Sequence, residues 1–413
     1  MSAFTLTELL RAPVYDSTGA QVGRVREVAL CPQDDPIRLS ALVVRTRAGD
    51  RLLALASVAA INGFVRASTA SAEWPVFAGS EGFLLLERDL LDQQIIDVHG
   101  RKVVRVNDVD LHQEAVNHQV ALKMAAVDVG ARGAVRRLLK GVVPQVALRA
   151  LLSKIPEKMI PWEFVDLIET DPARRVKLKI SHERLAKLHP ADIADIVEEL
   201  APAEREAVFE TLDEEVAAEA LEEVDPRLQV SIVESLDSDR AADIVEEMDP
   251  DAAADLLGDL PEARSAEILE EMEPEQREEV SELLEFEEDT AAGRMTTEYM
   301  ALSANASVVD AIEILRHFEG GIESVSTIFL LDEAGKLAGA VPLSKIVLAS
   351  HDTPLLTLKT EPLISCHAGV SEKEVAETFD KYNLLTLPVV DEAGTMTGVI
   401  TADDVISLLR SKL

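Results

Sequence analysis

Met248-Asp-Pro-Asp251-Ala-Ala-Ala-Asp255-Leu-Leu-Gly-Asp-Leu260 is one period of a repeat that runs through the middle of the chain. Apolar residues stand twelve positions apart at Leu188, Leu200, Leu212, Val224, Leu236, Met248, Leu260, Met272 and Leu284. A second apolar position recurs eight residues on, at Ile196, Val208, Ala220, Ile232, Ile244, Leu256, Ile268 and Val280. This spacing predicts one short amphipathic helix per period. Asp225-Pro226, Asp249-Pro250 and Glu273-Pro274 put a capping residue before a proline, which suits a first helical turn because no backbone donor is lost there. Helices this short are unstable alone in water, so each must bury its stripe against its neighbours. The expected result is an all-α superhelical solenoid over residues 182–289.

The solenoid is clothed in carboxylate. Between Glu183 and Asp289 there are 38 Asp and Glu against 7 Lys and Arg, a net of −31 out of the chain's −36. Such a field repels nucleic acid, attracts cations and loosens the stack by self-repulsion unless something neutralises it. For any single carboxylate the ordinary role is a solvated helix face.

At 413 residues and 47% hydrophobic content the chain is expected to form two to four domains with real cores. Cys31 and Cys366 stand far apart with no metal-binding spacing and read as reduced thiols of a cytoplasmic protein. The start lacks the basic and apolar regions of a signal peptide, and the uncharged run near Leu52 to Val65 is too short to cross a bilayer, so this chain is not expected to form a pore. A glycine-rich phosphate loop, a nucleophile elbow and an HExxH motif are all missing, and no enzymatic activity is expected.

A longer repeat, at an offset of 81, occupies the N-terminal region: Val14, Asp16, Gly19, Val25, Val28 and Leu30 return as Ile95, Asp97, Gly100, Val106, Val109 and Leu111. Alternating β-rich runs that turn at a glycine shortly after an Asp predict hairpins. The segment resembles two PRC-barrel domains, over residues 1–75 and 82–130, which implies two small β-barrels serving as protein-contact modules. Residues 131–181 then read as a basic linker. Arg132, Arg136, Arg137, Lys140, Arg149, Lys154 and Lys158 accompany Leu138, Leu139, Leu151 and other apolar residues, with Glu157 the one acid between Gly130 and Ile160. Such a stretch suits an anionic membrane surface, docking on the acidic solenoid, or a plain connection interrupted by Pro144, Pro156 and Pro161.

The C-terminal region holds another pair of copies, at an offset of 59: Ile328-Phe-Leu-Leu-Asp332-Glu-Ala-Gly335 and Leu387-Pro-Val-Val-Asp391-Glu-Ala-Gly394, each a strand and turn followed by a second strand and a helix. They resemble a pair of CBS domains, over 290–352 and 353–413. In that family a Gly-x-x-Thr/Ser-x-x-Asp element holds the ribose of an adenine nucleotide, and Gly398-Val-Ile-Thr401-Ala-Asp-Asp404 matches it. Thr401 and Asp404 are therefore the candidate nucleotide residues, with capping of the last helix as their alternative role. The first copy departs from the motif at Pro342 and Lys345, so nucleotide is not expected there.

The acidic repeat, the junction Asp289-Thr-Ala-Ala-Gly293-Arg-Met295 and the CBS pair together resemble the cytosolic region of the MgtE magnesium-channel family, over about residues 182–410. The resemblance implies Mg²⁺ bound between the acidic solenoid and the CBS pair, a homodimer formed through the CBS domains, and control of a membrane pore. The sequence given stops at Leu413, without the family's membrane domain, which points to regulation of a transporter on a separate chain, or to peripheral membrane contact. Mg²⁺ retains most of its waters and takes one or two protein carboxylates. Asp251 and Asp255, four apart on one helical face, and Asp403 on the CBS side are the candidate ligands; Asp192/Asp195 and Asp239/Asp243 share the spacing. The fold class expected is multidomain α+β: two PRC-like barrels, a helical solenoid and an α/β CBS pair. The function expected is a Mg²⁺-responsive regulator, with an adenine-nucleotide sensor or a ligand-free scaffold as alternatives.

Overall fold

The period-2 runs of the N-terminal repeat form strands, and the twelve-residue periods form helices. The computed structural model describes residues 2–79, 82–116, 119–139, 155–169, 182–287, 289–317 and 325–411, with Leu152, Asp171 and Ala173. The chain divides into two compact units, Met1–Asp225 and Pro226–Leu413.

In the first unit the opening copy runs β1 (Ser2–Thr5), α1 (Leu6–Leu9), β2 (Pro13–Tyr15), β3 (Gln21–Leu30), β4 (Leu39–Thr46), β5 (Gly49–Ala54), β6 (Val58–Ile61) and β7 (Val65–Ala67). The next runs β8 (Leu84–Leu85), α2 (Leu86–Asp89), β9 (Gln94–Asp97), β10 (Lys102–Arg105), β11 (Asp108–Val116), β12 (Gln119–Asp128), α3 (Ala131–Leu139), β13 (Met159–Pro161) and β14 (Val165–Leu167). The sheets follow the orders β5-β4-β3-β2-β7-β6 with β8 on β3, β1-β11-β12-β13, and β10-β9-β14. Each copy thus lends its leading strand to the other: β1 pairs β11, and β8 pairs β3. One hydrophobic core, from Leu6 to Val165, draws on both.

The exchange is fastened by two carboxylates, Glu27 and Asp108, that stand at equivalent positions of the repeat. Glu27 on β3 accepts the backbone N–H groups of Glu87 and Arg88 at the start of α2, at 2.8 and 3.1 Å. Asp108 on β11 accepts Thr7 N–H at the start of α1, at 3.0 Å. Each carboxylate therefore satisfies the free donors of a short helix that precedes the other copy's strand. Burial pushes the Glu27 carboxyl up, and three backbone N–H groups pull against that shift.

The expected linker differs from what is observed. Met159–Pro161 pairs with β12 and Val165–Leu167 with β9, so the chain returns to the sheets after α3. The physical reason is apolar: Ile160, Trp162 and Val165 are buried in the shared core. The arginines of α3 are not free for a membrane or the acidic repeat, because Arg132 pairs with Glu157, Arg136 with Asp108 and Arg137 with Asp92. Lys140, Arg149, Lys154 and Leu151 lie outside the described residues.

Three of the predicted helices belong to this unit: α4 (Pro190–Glu199), α5 (Pro202–Phe209) and α6 (Glu214–Glu222). They are seated on the β region. Arg101 pairs with Asp192 at 2.9 Å, Val103 N–H donates to Glu199 at 3.0 Å, and Arg184 donates to the carbonyl of Val165 at 2.7 Å.

The second unit opens with α7 (Pro226–Ser235), α8 (Ser238–Glu246), α9 (Pro250–Asp259), α10 (Glu262–Glu271) and α11 (Pro274–Leu284). In both units the stripes are where the periodicity puts them: the eight positions from Ile196 to Val280 are all buried. The sparse arginines close helix ends. Arg205 donates to the carbonyls of Val197 and Glu198, Arg277 to those of Leu269 and Glu270, and Arg264 to those of Val233 and Leu236. A cation at a helix C-terminus satisfies orphan carbonyls and the helix dipole together.

The two CBS-like copies complete this unit. The first comprises β15 (Ala301–Ser303), α12 (Val308–Arg316), β16 (Thr327–Leu331), β17 (Leu337–Pro342) and α13 (Leu343–Leu348). The second comprises β18 (Cys366–His367), α14 (Glu372–Tyr382), β19 (Thr386–Val390), β20 (Met396–Thr401) and α15 (Ala402–Ser411). Each is a three-stranded sheet with one parallel and one antiparallel pair, and each carries a register shift at the same place, Leu330/Leu331 and Val389/Val390. The DEAG turns are built alike: Asp332 accepts Ala334 and Lys336 N–H, Asp391 accepts Ala393 and Thr395 N–H, and Gly335 and Gly394 take φ of +75° and +84°.

Candidate functional site

Helix α9 starts where Asp249-Pro250 places it, with proline in the first turn. Asp251 therefore lies in the first turn and Asp255 one turn later. Helix α15 starts after Thr401, putting Asp403 and Asp404 in its first turn. Asp251 and Asp404 are half-buried, whereas Asp249, Asp255, Asp403 and Glu298 are exposed.

The two helix starts confront each other electrostatically. Burial pushes the Asp251 carboxyl well above the usual carboxylate range, and the charge of Asp404 is the next cause, ahead of Asp249 and Asp255. Asp404 is pushed up to about 6, chiefly by burial, with Asp403 and Asp249 adding and the hydrogen bonds from Thr401 opposing. Asp249 and Glu298, though their side chains reach solvent, are raised first by the protein packed around them, Asp249 then by Asp403 and Glu298 then by Asp249 and Glu279. Like charges held this close disfavour simultaneous ionisation, and a bound cation relieves them.

Of the three expected metal residues, Asp251 feels the charges of Asp404, Asp249 and Asp255, and Asp403 acts on Asp249 and Asp404. Asp255 also forms an ion pair with the Arg294 guanidinium. Arg294 follows Gly293 at the junction, and Asp251, Asp255 and Gly293 line one cleft of about 70 Å³. Of the alternative pairs, Asp192 is held by Arg101 in the first unit. Among the described residues no group of three or more His, Cys, Asp or Glu side chains is placed to hold a metal ion. A hard cation that keeps its water shell, such as Mg²⁺, calls for only one or two protein carboxylates rather than such a group.

At the candidate nucleotide element, Thr401 and Asp404 are bonded to each other. The Thr401 N–H and hydroxyl donate to Asp404 Oδ2 at 2.8 and 2.6 Å, an arrangement that caps α15. Gly398 is closely covered: a Cβ there would sit 2.7 Å from Met295 Sδ and 2.8 Å from the Thr296 carbonyl oxygen. In the first copy Pro342 precedes α13 and Lys345 Nζ donates to the Lys359 carbonyl at 3.1 Å, so the hydroxyl and carboxylate of the motif have no counterpart there. Sequence reasoning placed Asp404 with nucleotide or with the cap of the last helix, gave Asp249 only a capping role, and gave Glu298 and Arg294 none. Their signals were the Asp-Pro helix start and the lone arginine of the junction.

A stack of acid-faced helices leading into a CBS pair has the make-up of a regulatory module. Residues 188–289 match the MgtE intracellular N domain, and residues 291–352 and 357–411 each match the CBS domain. The chain is 31% identical over 135 residues to the magnesium transporter MgtE of Enterococcus faecalis and 32% identical over 136 residues to that of Thermus thermophilus. Each match covers 33% of this chain and 30% of the relative, so the chain spans less than a third of the relatives' length. The crystal structure of the cytosolic domain of the Mg²⁺ channel MgtE in complex with ATP superimposes with a TM-score of 0.53 at 30% identity, over 55% of this chain and 93% of that one. The chain thus carries an MgtE N domain joined to a CBS pair. No helix among the described residues is long and apolar enough to cross a membrane.

Proposed function

We propose that this chain is a Mg²⁺-responsive regulatory protein that acts at the cytoplasmic face on a membrane transporter carried by a separate chain. The observation that carries the reading is the opposition of Asp249 and Asp251 on α9 to Asp403 and Asp404 on α15, which burial and mutual repulsion leave poised for a cation. Mg²⁺ binding across these helices stabilises a compact form of the second unit, and its loss lets the helices separate from the CBS copy. The CBS pair dimerises through α13 and α15, whose Val347 and Ile406, at equivalent positions of the two copies, are 82% and 65% exposed in the single chain. The PRC-like strands of the first unit provide the contact to the transporter.

Each weak site filled to ten times its dissociation constant contributes about 1.4 kcal/mol, so two or three reverse a modest preference for an open form. Small-angle scattering in millimolar Mg²⁺ is expected to show a smaller particle than in sodium salt of equal ionic strength, which controls for screening. Equal sizes in the two salts would sink the sensor reading. Co-purification with membranes at low salt tests the transporter contact, and a chain that never sediments with them fails that part.

The relative solved with ATP favours adenine nucleotide as a second ligand. Nucleotide at the second CBS copy has to draw the Thr401 hydroxyl and Asp404 away from each other. Calorimetry with ATP, ADP and AMP is expected to give one site per chain that Thr401→Val weakens. No heat at millimolar nucleotide leaves Thr401 and Asp404 as the cap of α15.

A further inference from the structure

The sheet that runs from β5 to β6 in the first unit has a cationic outer face. Val14, Val25, Val44 and Val65 turn into the core, so their neighbours Tyr15, Arg24, Arg26, Arg45 and Arg66 take the opposite side. Arg24 on β3 stands directly opposite Arg45 on β4, and Arg66 on β7 lies beside Tyr15 on β2. All four arginines are exposed. Among the described residues Asp50 is the carboxylate that pairs with any of them, and Arg26 and Arg45 share it. Like charges facing each other across a ladder destabilise it, so in a chain of net charge −36 this face calls for an anionic cover.

The internal repeat supplies a precedent. Arg105 opposes Gln94 in the second copy as Arg24 opposes Pro13 in the first. That second ribbon seats acidic helices: Arg101 pairs with Asp192 on α4, Val103 N–H donates to Glu199 on α4, and the Gln94 side-chain amide donates to the Glu204 carboxylate on α5 at 2.8 Å. Ile96, which corresponds to Tyr15, is fully buried there, whereas Tyr15 is half-buried, its ring edge-on to Phe64 with Arg66 over the Phe64 ring. In the first copy β4 pairs with the strand edge that α4 covers in the second, and the outer face stays open to solvent.

We propose that this face binds the acidic helical repeat of another molecule of this chain, its arginines meeting carboxylates of residues 183–289. Charge complementarity selects the occupant, since that stretch holds a net −31 and the β region already seats two of its helices. Guanidinium forks fit carboxylates with two parallel bonds, and every basic residue before Lys102 is arginine or histidine. When each molecule lends its face to the other's repeat, the contact closes as a two-fold pair. The proposal goes beyond the magnesium reading and does not require it.

The test is cross-linking of the full chain in a mixture of ordinary and heavy-isotope molecules. Arg45→Lys keeps the charge and supplies an amine that a carbodiimide joins to a carboxylate in contact with it. Peptides holding position 45 are expected to be joined to peptides from 183–289 of the other isotope at about 50 mM salt, with the yield falling roughly tenfold at about 500 mM. Adding Arg24→Gln and Arg66→Gln to that variant is expected to lower the yield by roughly three- to tenfold, with the fluorescence of Trp74 and Trp162 unchanged as the check on folding. Joining confined to one isotope means that each chain covers its own face, and overturns the proposal. Joining that ignores both salt and the two arginines marks random contact and overturns it too. No joining overturns it as well, and sedimentation with phosphatidylserine vesicles in that case makes a lipid surface the occupant. A chain that joins as expected yet ignores Mg²⁺ sinks the sensor reading alone.

Discussion

Replacing Asp108 by alanine is expected to destabilise the first unit by about 3–5 kcal/mol, a large part of the stability of an ordinary domain. Asp108 is fully buried and accepts the N–H groups of Thr7 and Val109 at 3.0 Å each. It also pairs with Arg136 at 2.8 Å, and that side chain is only 14% exposed. Its loss strands a guanidinium and two donors away from water, while also unfastening the leading helix of one copy from the strand of the other. The equivalent Glu27→Ala removes backbone bonds without stranding a charge, and about 1–3 kcal/mol is expected. The two tryptophans, Trp74 and Trp162, both lie in the first unit and are 3% and 7% exposed, so their fluorescence in urea follows this unit by itself. Equal losses for the two variants, each under about 1 kcal/mol, contradict the fastening role.

Asp251→Asn is expected to act with opposite signs in the absence and presence of metal. A carboxyl whose folded-state pKa lies above its unfolded value makes the folded form bind the extra proton between those values, so stability falls as pH rises through that window. For Asp404 the window runs from 3.8 to about 6, and Asp251 is displaced in the same direction. The metal-free second unit is therefore most stable below pH 4 with respect to these groups and loses that contribution by about pH 6 to 7. At pH 7 in chelator, Asp251→Asn relieves the repulsion and stabilises by on the order of 1 kcal/mol, discounted for partial exposure. On the proposed Mg²⁺ reading, the same variant gains less from Mg²⁺ than the natural chain does. Calorimetry across pH 4 to 8, with hydrogen exchange of α9 to localise the change, checks both halves. A lower melting temperature for the variant in chelator at pH 7 rules out the repulsion.

The helical repeat was legible because its signal is local and redundant. Ile196, Ile232, Ile244 and Ile268 stand at multiples of twelve residues, each a buried position of its own short helix. The CBS copies were legible for a related reason, since the Asp332 and Asp391 turns need Asp and glycine at set offsets whatever surrounds them. The region after Gly130 was misread because its charge suggested a linker, while Ile160, Trp162 and Val165 carry no periodicity long enough to announce two three-residue strands.

Which residues turn inward, where helices start and how heavily carboxylate weighs on the middle of the chain could be read from the residue order. All of these follow from the covalent order of side chains within one helix or hairpin, where spacing sets geometry. Long-range packing alone places β1 and β8 in exchanged sheets, makes Glu27 and Asp108 each cap the other copy's helix, pairs Asp255 with Arg294 and sets Asp251 against Asp404. Asp251 and Asp255 are indistinguishable along the chain, being acids on one face of one helix. The difference between them is the charge of what packs opposite, an arginine from the junction or an aspartate from the last helix, and that is set by contacts between segments remote in sequence.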